Sequence, residues 1–462
     1  MARSDSPLVT VYIPCRNYGR FLERAVESVF NQLYSHWELF IIDEGSDDAT
    51  ADICARYATR DPDRIRIIRN EQPEGLQKVA NTILGQSRGA FIIRLDADDW
   101  FDESALLLMA TKLSQNPDLG IVYGNYFYTD DNGNILGMER RHELGVEDKA
   151  GHLPPHGACT MVRTRDLKSV GGYSEDINAQ DGWELWYKLT QHTRAASLNI
   201  PVFYYRQHAS SLSRNTDRLL KARSRIFEAM AKKLDGGYAP THLAVLGVRE
   251  SYPGLEGVPY KELDGVSLLE RALTSIGSAK SVTAMMVSSK SQDVLRFAEE
   301  LEDQKSVPPH TRRLRESFEN GEYLPVQAIL SDAGEDYRAL RGSYPDVISF
   351  HSLHTINCTA AHVDSAFNIL RVTKSDSVVS VQEEKSALFS YHENGLKLMN
   401  PGRLVGLSYD REKVYRFNGA IITTWWEMLE AEDLLGDNIG YLEMSPHESL
   451  QVNSEMLSGS VK

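Results

Sequence analysis

The sequence predicts an α/β chain built as two successive domains, residues 1–235 and 240–462, each a largely parallel sheet covered by helices. Three observations carry that prediction. Short apolar runs alternate with stretches of helical periodicity through the first half. The alternation stops at "LDGGYAP" (234–240), a Gly- and Pro-containing linker, and then starts again. Acidic and polar clusters follow directly after the apolar runs, where open α/β sheets bind their ligands.

The elements follow in order. "LVTVYIP" reads as a strand, and apolar residues at Phe21, Leu22, Ala25, Val26 and Val29 read as one helix face. "WELFIID" is a second strand, stopped by "EGSDDAT", where Ser46, Asp47 or Asp48 is placed to cap a helix. "RIRIIRN", helical "LQKVANTIL" and "AFIIRL" follow, then a helix over Glu103–Ser114 and the strand "GIVYGNYFY". "NAQDGWELWYKL" predicts an amphipathic helix, "IPVFYY" a strand, and Arg218–Lys233 a helix rich in basic residues. The second half opens with "HLAVLGV", helix Ser267–Ile276, strand "SVTAMMVSS" and helix Gln292–Glu300. The polar stretch "QKSVPPHTRRLRESFENGEY" reads as loop, ahead of "SDSVVSVQ", the turn "YHENGLKL" and "VYRFNGAII".

With 462 residues, 42% of them hydrophobic, the chain can bury more than one sizeable core. A net charge of −15 argues against nucleic acid as a partner. The four cysteines (Cys15, Cys54, Cys159, Cys358) show no metal-like or CxxC spacing, so they are expected as free thiols in a reducing, cytoplasmic compartment. No signal peptide and no membrane span is expected. Asn357-Cys358-Thr359 forms a glycosylation sequon that is idle without secretion.

"FIIRLDADDW" (91–100) runs a buried-type strand into Asp96, Asp98 and Asp99. Carboxylates this close repel one another and need a cation or dense hydrogen bonding. A hard divalent ion such as Mg²⁺ or Mn²⁺ uses one or two carboxylates together with substrate phosphates, so the cluster points to a diphosphate substrate. Asp181 reads either as a helix cap or as a further functional acid. Trp183 and Trp186 on the same helix read as core rather than as a sugar platform, and His208 by itself decides nothing.

Taken together, "VTVYIPCRNYGRFLERAVESVFNQ", "HWELFIIDEGSDDAT", "RLDADDW", "GGYSE", "QDGWELWYKL" and "YRQHASSLS" resemble a family 2 glycosyltransferase of the GT-A fold, over residues 8–215. The resemblance implies that Pro14, Cys15, Arg16, Asn17, Asp43 and Glu44 line the donor nucleobase and ribose pocket. Asp96, Ala97 and Asp98 would form the DxD element that holds ribose and metal-bound diphosphate, with Asp99 beside it and His208 as a late metal or diphosphate contact. Asp181 would be the catalytic base of an inverting transfer. A nucleotide-sugar donor, a UDP-sugar first, and a glycan or glycoconjugate acceptor are implied, with Mn²⁺ or Mg²⁺ as cofactor. Three positions depart from the pattern. Glu44 stands where Asp is usual, Ala80 stands where Arg is common with Lys78 as the replacement charge, and Gln180 precedes Asp181. No QxxRW element follows, which argues against a processive polymerase.

The second half, residues 242–460, resembles the CMP-sialic acid synthetase family through "LAVLGVRESYPGLEGVPYKELDGVSLLERAL", "SDSVVSV", "HENGLKL" and "VYRFNGAI". Arg249 and Asn418 match that family's nucleotide or sugar positions. Its lysine positions fall at Pro253 and Val258, and its late acidic pair at Gln451 and Asn453. Two amides in place of carboxylates remove the charge that Mg²⁺ needs, so this domain is expected to have lost nucleotidyl transfer. The resemblance also implies a homodimer through this half. Two other readings stand beside it: a bifunctional enzyme that makes a CMP-activated acidic sugar and then uses it, and a non-catalytic scaffold. The basic helix (Arg218, Lys221, Arg223, Arg225, Lys232, Lys233) is either a solvated face or a peripheral contact with the inner membrane surface.

Overall fold

The computed structural model describes residues 6–140, 157–175, 181–208, 216–234, 239–252, 254–315, 325–392, 395–399 and 414–452. The chain divides into two compact units. The first comprises Met1–Arg223 with Ser386–Glu412, and the second Ser224–Lys385 with Lys413–Lys462. The division falls inside a helix rather than at the Gly-rich linker, because that helix runs unbroken across Thr216–Leu234.

The first unit runs β1 (Val9–Cys15), α1 (Gly19–Phe30), β2 (Trp37–Glu44), α2 (Thr50–Arg60), β3 (Ile65–Asn70), α3 (Leu76–Gln86) and β4 (Phe91–Arg94). It continues with β5 (Trp100–Phe101), α4 (Ala105–Gln115), β6 (Leu119–Thr129), β7 (Ile135–Glu139), β8 (Met161–Arg163), α5 (Thr164–Ser169), α6 (Asp181–Thr190), β9 (Arg194–Arg206) and the first part of α7 (Thr216–Leu234). The sheet order is β3-β2-β1-β4-β8-β6-β9-β5, with β7 on β6. Strands β3, β2, β1 and β4 are parallel, as expected. The sheet as a whole is mixed: the three-residue β8 lies antiparallel between β4 and β6. So short a strand carries too little periodicity to read from sequence.

Both faces of this sheet are covered, which is why its strands read as continuous apolar runs. Val9, Val11 and Ile13 of β1 pack with Leu22, Ala25, Val26 and Val29 of α1 on one face. Tyr12, Phe40 and Ile42 pack with Val79, Ala80 and Ile83 of α3 on the other. Leu22 has no exposed surface, and burying such a side chain contributes roughly 1.5–3 kcal/mol.

The second unit contains β10 (His242–Val248), β11 (Glu262–Leu263), β12 (Val266–Ser267), α8 (Leu268–Gly277), β13 (Ala284–Ser289), α9 (Gln292–Asp303), β14 (Thr311–Leu314), α10 (Val326–Arg341) and β15 (Val347–Ser352). It closes with α11 (Ala360–Thr373), β16 (Ser377–Glu384), β19 (Val414–Trp425) and β20 (Ile439–Glu443), while β17 (Phe389–His392) and β18 (Gly395–Leu398), which belong to the first unit, pair as a separate two-stranded ribbon. Its seven-stranded sheet has the order β14-β13-β10-β15-β19-β16-β20. Strand β14 lies in the stretch expected to be loop. It is an edge strand whose side chains are largely exposed, so apolar alternation is missing although the backbone pairs with β13.

Candidate active site

The carboxyl ends of β1, β2 and β4 meet at one edge of the first sheet, and the loops after β1 and β2 are stitched together. Asn17 sits at φ 58°, a left-handed conformation that asparagine tolerates. Its backbone N–H donates to Ser46 Oγ at 3.0 Å, and its side-chain oxygen accepts from the Asp47 N–H at 3.0 Å. Asp48 accepts from the backbone of Thr50 at 3.0 Å and of Gly19 at 2.8 Å, tying the starts of α1 and α2 together. Of the three residues expected to cap α2, Asp48 is therefore the one that serves its first turn.

Arg16 and Asn17 are exposed and Pro14 is half-buried at this edge. The Cys15 side chain faces the core: it is 2% exposed, and burial pushes its thiol up to about 11. Asp43 is also buried, with Oδ1 accepting from the Ser46 N–H at 2.9 Å and Oδ2 lying 3.5 Å from Arg69 Nε. Glu44 answers the question raised by its extra methylene. Its carboxylate turns to the loop ahead of α3, accepting from Asn70 Nδ2 and from the backbone N–H groups of Glu74 and Gly75, both at 2.9 Å. Gly75 adopts φ 94°, a conformation that glycine permits and side chains resist. Glu44 thus organises a loop, and Asp43 is the member of the acidic pair with an oxygen lacking a hydrogen-bond partner.

Lys78 is exposed and pairs with Glu74 at 2.7 Å, whereas Ala80 is 1% exposed in the core. Two residues on a helix stand about 200° apart, so Lys78 does not replace a charge at position 80. Asn81, which sequence reasoning passed over, accepts from the Tyr173 N–H at 2.8 Å and donates to the Tyr173 carbonyl at 2.9 Å. It thereby holds the "GGYSE" segment. A side chain at Gly172 would meet Asn81 Oδ1 at 2.4 Å, which explains a glycine there.

The acidic turn after β4 gives each carboxylate a different partner. Asp96 lies 2.9 Å from the guanidinium of Arg94, itself 5% exposed. Asp99 is 1% exposed, and Oδ1 accepts from the Arg206 N–H at 2.9 Å while Oδ2 has no hydrogen-bond partner. Burial, reinforced by Asp98 and Asp96, pushes the Asp99 carboxyl well above the usual range. Asp98 Oδ2 lies 2.9 Å from His208 Nε2. The His208 ring packs on Tyr18 and Phe21, with centroids 5.5 and 5.2 Å away. The methyl group of Ala97 is buried in the core beneath the turn.

This donor set fits a divalent cation. Neighbouring ligands of an octahedral ion held at about 2.1 Å stand about 3 Å apart, which matches the spacing of Asp98 Oδ2 and His208 Nε2. An imidazole beside carboxylate oxygen suits Mn²⁺ better than Mg²⁺, which prefers oxygen throughout. Among the described residues no group of three or more His, Cys, Asp or Glu side chains forms a ready metal cage.

Asp181 is the first residue of α6, and its side chain lies outside the described part of the structure, as does Gln180. The helix itself is anchored by Glu184, a residue that sequence reasoning missed. Glu184 is 6% exposed, accepts from Ser174 Oγ at 2.5 Å and pairs with Lys188 at 2.5 Å. Its signal was the i, i+4 acid–base spacing on the helix. Trp186 is core, as expected, while half-buried Trp183 carries the Arg223 guanidinium 5.1 Å from its ring centroid.

In the second unit, Arg249 follows β10, with its guanidinium 5.9 Å from the Tyr252 ring centroid. Arg315, unremarked in the sequence, follows β14. It is 8% exposed, donates to the Val248 carbonyl at 3.1 Å, and has an Nε with no partner. Burial and then the neighbouring Arg249 push its guanidinium down. Asn418 is 2% exposed and engaged within the fold: Oδ1 accepts from Ser380 Oγ at 2.6 Å and Nδ2 donates to Ser449 Oγ at 2.9 Å. Gln451 Nε2 donates to the Asn418 carbonyl at 2.8 Å. Val258 is buried core, and Pro253 and Asn453 lie outside the described residues.

Comparison with known proteins identifies the first unit. Residues 10–171 match the glycosyl transferase family 2 model. The putative glycosyltransferase EpsE of Bacillus subtilis (strain 168) is 35% identical over 219 residues, which cover 46% of this chain and 78% of EpsE. The chain belongs to glycosyltransferase family 2. Glycosyltransferase GlyG of Streptococcus pneumoniae serotype 4 is 25% identical over 261 residues, 53% of this chain and 85% of GlyG. Among solved structures, S. aureus TarS 1-349 in complex with UDP-GlcNAc is similar at 17% identity and a TM-score of 0.41. The match covers 48% of this chain and 66% of that one, just under two thirds of its length. The family 2 match covers "RLDADDW", the segment that carries the three carboxylates of this edge.

Proposed function

We propose that the chain is a metal-dependent, inverting glycosyltransferase that moves a sugar from a nucleotide-sugar donor to a hydroxyl of a glycan or glycoconjugate. One observation carries this reading: of three crowded carboxylates, Asp96 is occupied by Arg94 and Asp99 is buried on Arg206, while Asp98 pairs with an imidazole at a metal-ligand spacing. Asp98 and His208 would hold the divalent cation, Mn²⁺ or Mg²⁺, with Asp96 and Asp99 as its acidic surroundings. The cation, when bound, neutralises charge on the departing nucleoside diphosphate. Asp96 and Ala97 would border the donor ribose, and Pro14, Arg16, Asn17 and Asp43 the nucleobase. Glu44 acts there through the loop it organises. Asp181, opening α6, would take the proton of the acceptor hydroxyl as that oxygen bonds to the anomeric carbon. The bond from that carbon to the diphosphate breaks on the opposite face, and the pair leaves with the nucleoside diphosphate.

The experiment is thermal denaturation of the full chain with UDP, GDP, CDP and dTDP, each with and without Mn²⁺. Binding at 100 times Kd stabilises by about 2.7 kcal/mol. Stabilisation by one diphosphate that requires Mn²⁺ and vanishes in Asp98→Asn is expected. Equal response to all four without metal would sink the reading.

For the second unit we propose a cytidylyltransferase-like domain that has lost nucleotidyl transfer and serves in homodimerisation or ligand holding. The Gln451 amide bonded to the Asn418 carbonyl supports the loss, since a neutral amide stands at a position where the resemblance puts a carboxylate for Mg²⁺. The buried Arg315 beside Arg249 favours the bifunctional alternative, because paired guanidinium groups attract an anion. Pyrophosphate release from CTP, Mg²⁺ and an acidic sugar by the full chain would decide for that alternative. A cytoplasmic setting is supported by four free cysteines. Among the described residues no helix is long and apolar enough to cross a membrane. Peripheral contact through α7 would appear as salt-sensitive binding to anionic vesicles.

A further inference from the structure

Arg206 is the last residue of β9 and is 4% exposed, with a guanidinium that sits in the acidic turn and hydrogen-bonds to backbone carbonyls. Its Nε–H donates to the Asp98 carbonyl at 2.8 Å, and Nη1 donates to the Asp131 carbonyl. Its backbone N–H donates to Asp99 Oδ1 at 2.9 Å. The guanidinium also lies 4.4 Å from the Phe21 ring centroid and 4.8 Å from that of Trp100. Two residues further on, the His208 ring packs on the same Phe21 and brings Nε2 to Asp98 Oδ2.

One side chain therefore grips the main chain of the DxD turn from one direction and the loop after β6 from another, while its own backbone seats Asp99. Desolvating a guanidinium is costly, and a position that needed only apolar filling would be served better by an apolar side chain. Lysine would not reproduce the grip, because an ammonium lacks the planar fork that reaches two carbonyls at fixed angles.

We propose that Arg206 is a positioning residue for the cation site: it holds the Asp98–Asp99 turn and the His208 imidazole in one register, so that Asp98 Oδ2 and His208 Nε2 face a divalent ion together. This rests on the metal-dependent reading above, and goes beyond it by assigning the site's geometry to a residue outside the proposed ligand set. Outer contacts that orient metal ligands change affinity by roughly 10- to 100-fold when removed.

The test is titration of the full chain with Mn²⁺ alone, and then with UDP added, read by the electron paramagnetic resonance signal of free aqueous Mn²⁺. Arg206→Lys and Arg206→Gln are expected to bind Mn²⁺ about tenfold more weakly or worse, in protein whose melting shows a cooperative fold. Phe21→Leu, which removes the ring shared by Arg206 and His208, is expected to weaken Mn²⁺ in the same direction and serves if an Arg206 variant does not fold. A merely structural role would lower the melting temperature and leave Mn²⁺ affinity of the folded protein unchanged. Wild-type affinity in the folded variants overturns the role of Arg206 alone. Failure of the wild-type chain to bind Mn²⁺ at all, with or without UDP, overturns the metal reading and this inference together.

Discussion

At the carboxyl edge of the first unit's sheet stand Asp43, Glu44, Asp96, Asp98 and Asp99; at the corresponding edge of the second unit's sheet stand Arg249 and Arg315. Both edges are built the same way, from parallel strands whose last residues turn into loops. Their charges are opposite. In the first unit each acid is buried or half-buried beside a specific partner. In the second, burial and the neighbouring, exposed Arg249 push the Arg315 guanidinium down, and the amides of Asn418 and Gln451 are spent inside the fold. The α/β frame thus decides where chemistry is presented, while a few side chains at the strand ends decide which charge it will accept.

The sharpest break in this comparison is Asp181→Asn. Removing the proposed general base is expected to lower transfer by ~100- to 10,000-fold while Mn²⁺-dependent nucleotide binding is kept, measured by product formation and thermal shift on one preparation. Unchanged turnover would remove Asp181 from the chemistry. Next is Asp98→Asn, expected to weaken Mn²⁺ binding by at least ~100-fold, since it alters a proposed ligand rather than an outer contact. Calorimetric titration checks it, with Arg249→Ala as the control that leaves Mn²⁺ binding intact.

The third test contrasts the two units under acid. Burial pushes His242 and His351 of the second unit down to about 3, with Ser349 bridging them at 2.8 and 2.7 Å. Below pH 6.5 the unfolded chain takes up protons that the folded imidazoles refuse. Their contribution is therefore fully present above pH 6.5 and is lost as pH falls towards 3. Hydrogen exchange corrected for intrinsic rates should show β10 and β15 losing protection between pH 7 and 5, with His351→Asn flattening the response. The smallest expected effect belongs to Glu44→Asp. The shorter carboxylate gives up the Glu74 and Gly75 N–H groups, at about 1–3 kcal/mol, and frees the loop ahead of α3. Chemical denaturation reads the loss, and a changed preference among nucleoside diphosphates would link that loop to nucleobase choice.

Much of the first unit was legible because its signals are local. The face Phe21, Leu22, Ala25, Val26, Val29 is the one α1 buries, and continuous apolar runs mark strands covered on both sides. β8 and β14 were illegible for the opposite reason: one is too short and the other too exposed to leave a period in the sequence. Within the candidate site, Asp98 and His208 were named separately, 110 positions apart, and the fold puts them in contact. Arg94, Asn81, Glu184, Arg206 and Arg315 left little trace, because what each does depends on a partner that only folding supplies.

The sequence by itself determined the α/β alternation, the placing of acids at strand ends, and the membership in a glycosyltransferase family, since these rest on residue type and spacing along the chain. Only the tertiary structure decided how three neighbouring carboxylates differ. Asp96 is paired, Asp99 is buried and Asp98 faces an imidazole because β4 and the end of β9 bring Arg94, Arg206 and His208 to that one turn. Charge repulsion is written in the spacing of a motif, but its resolution depends on groups far away in sequence.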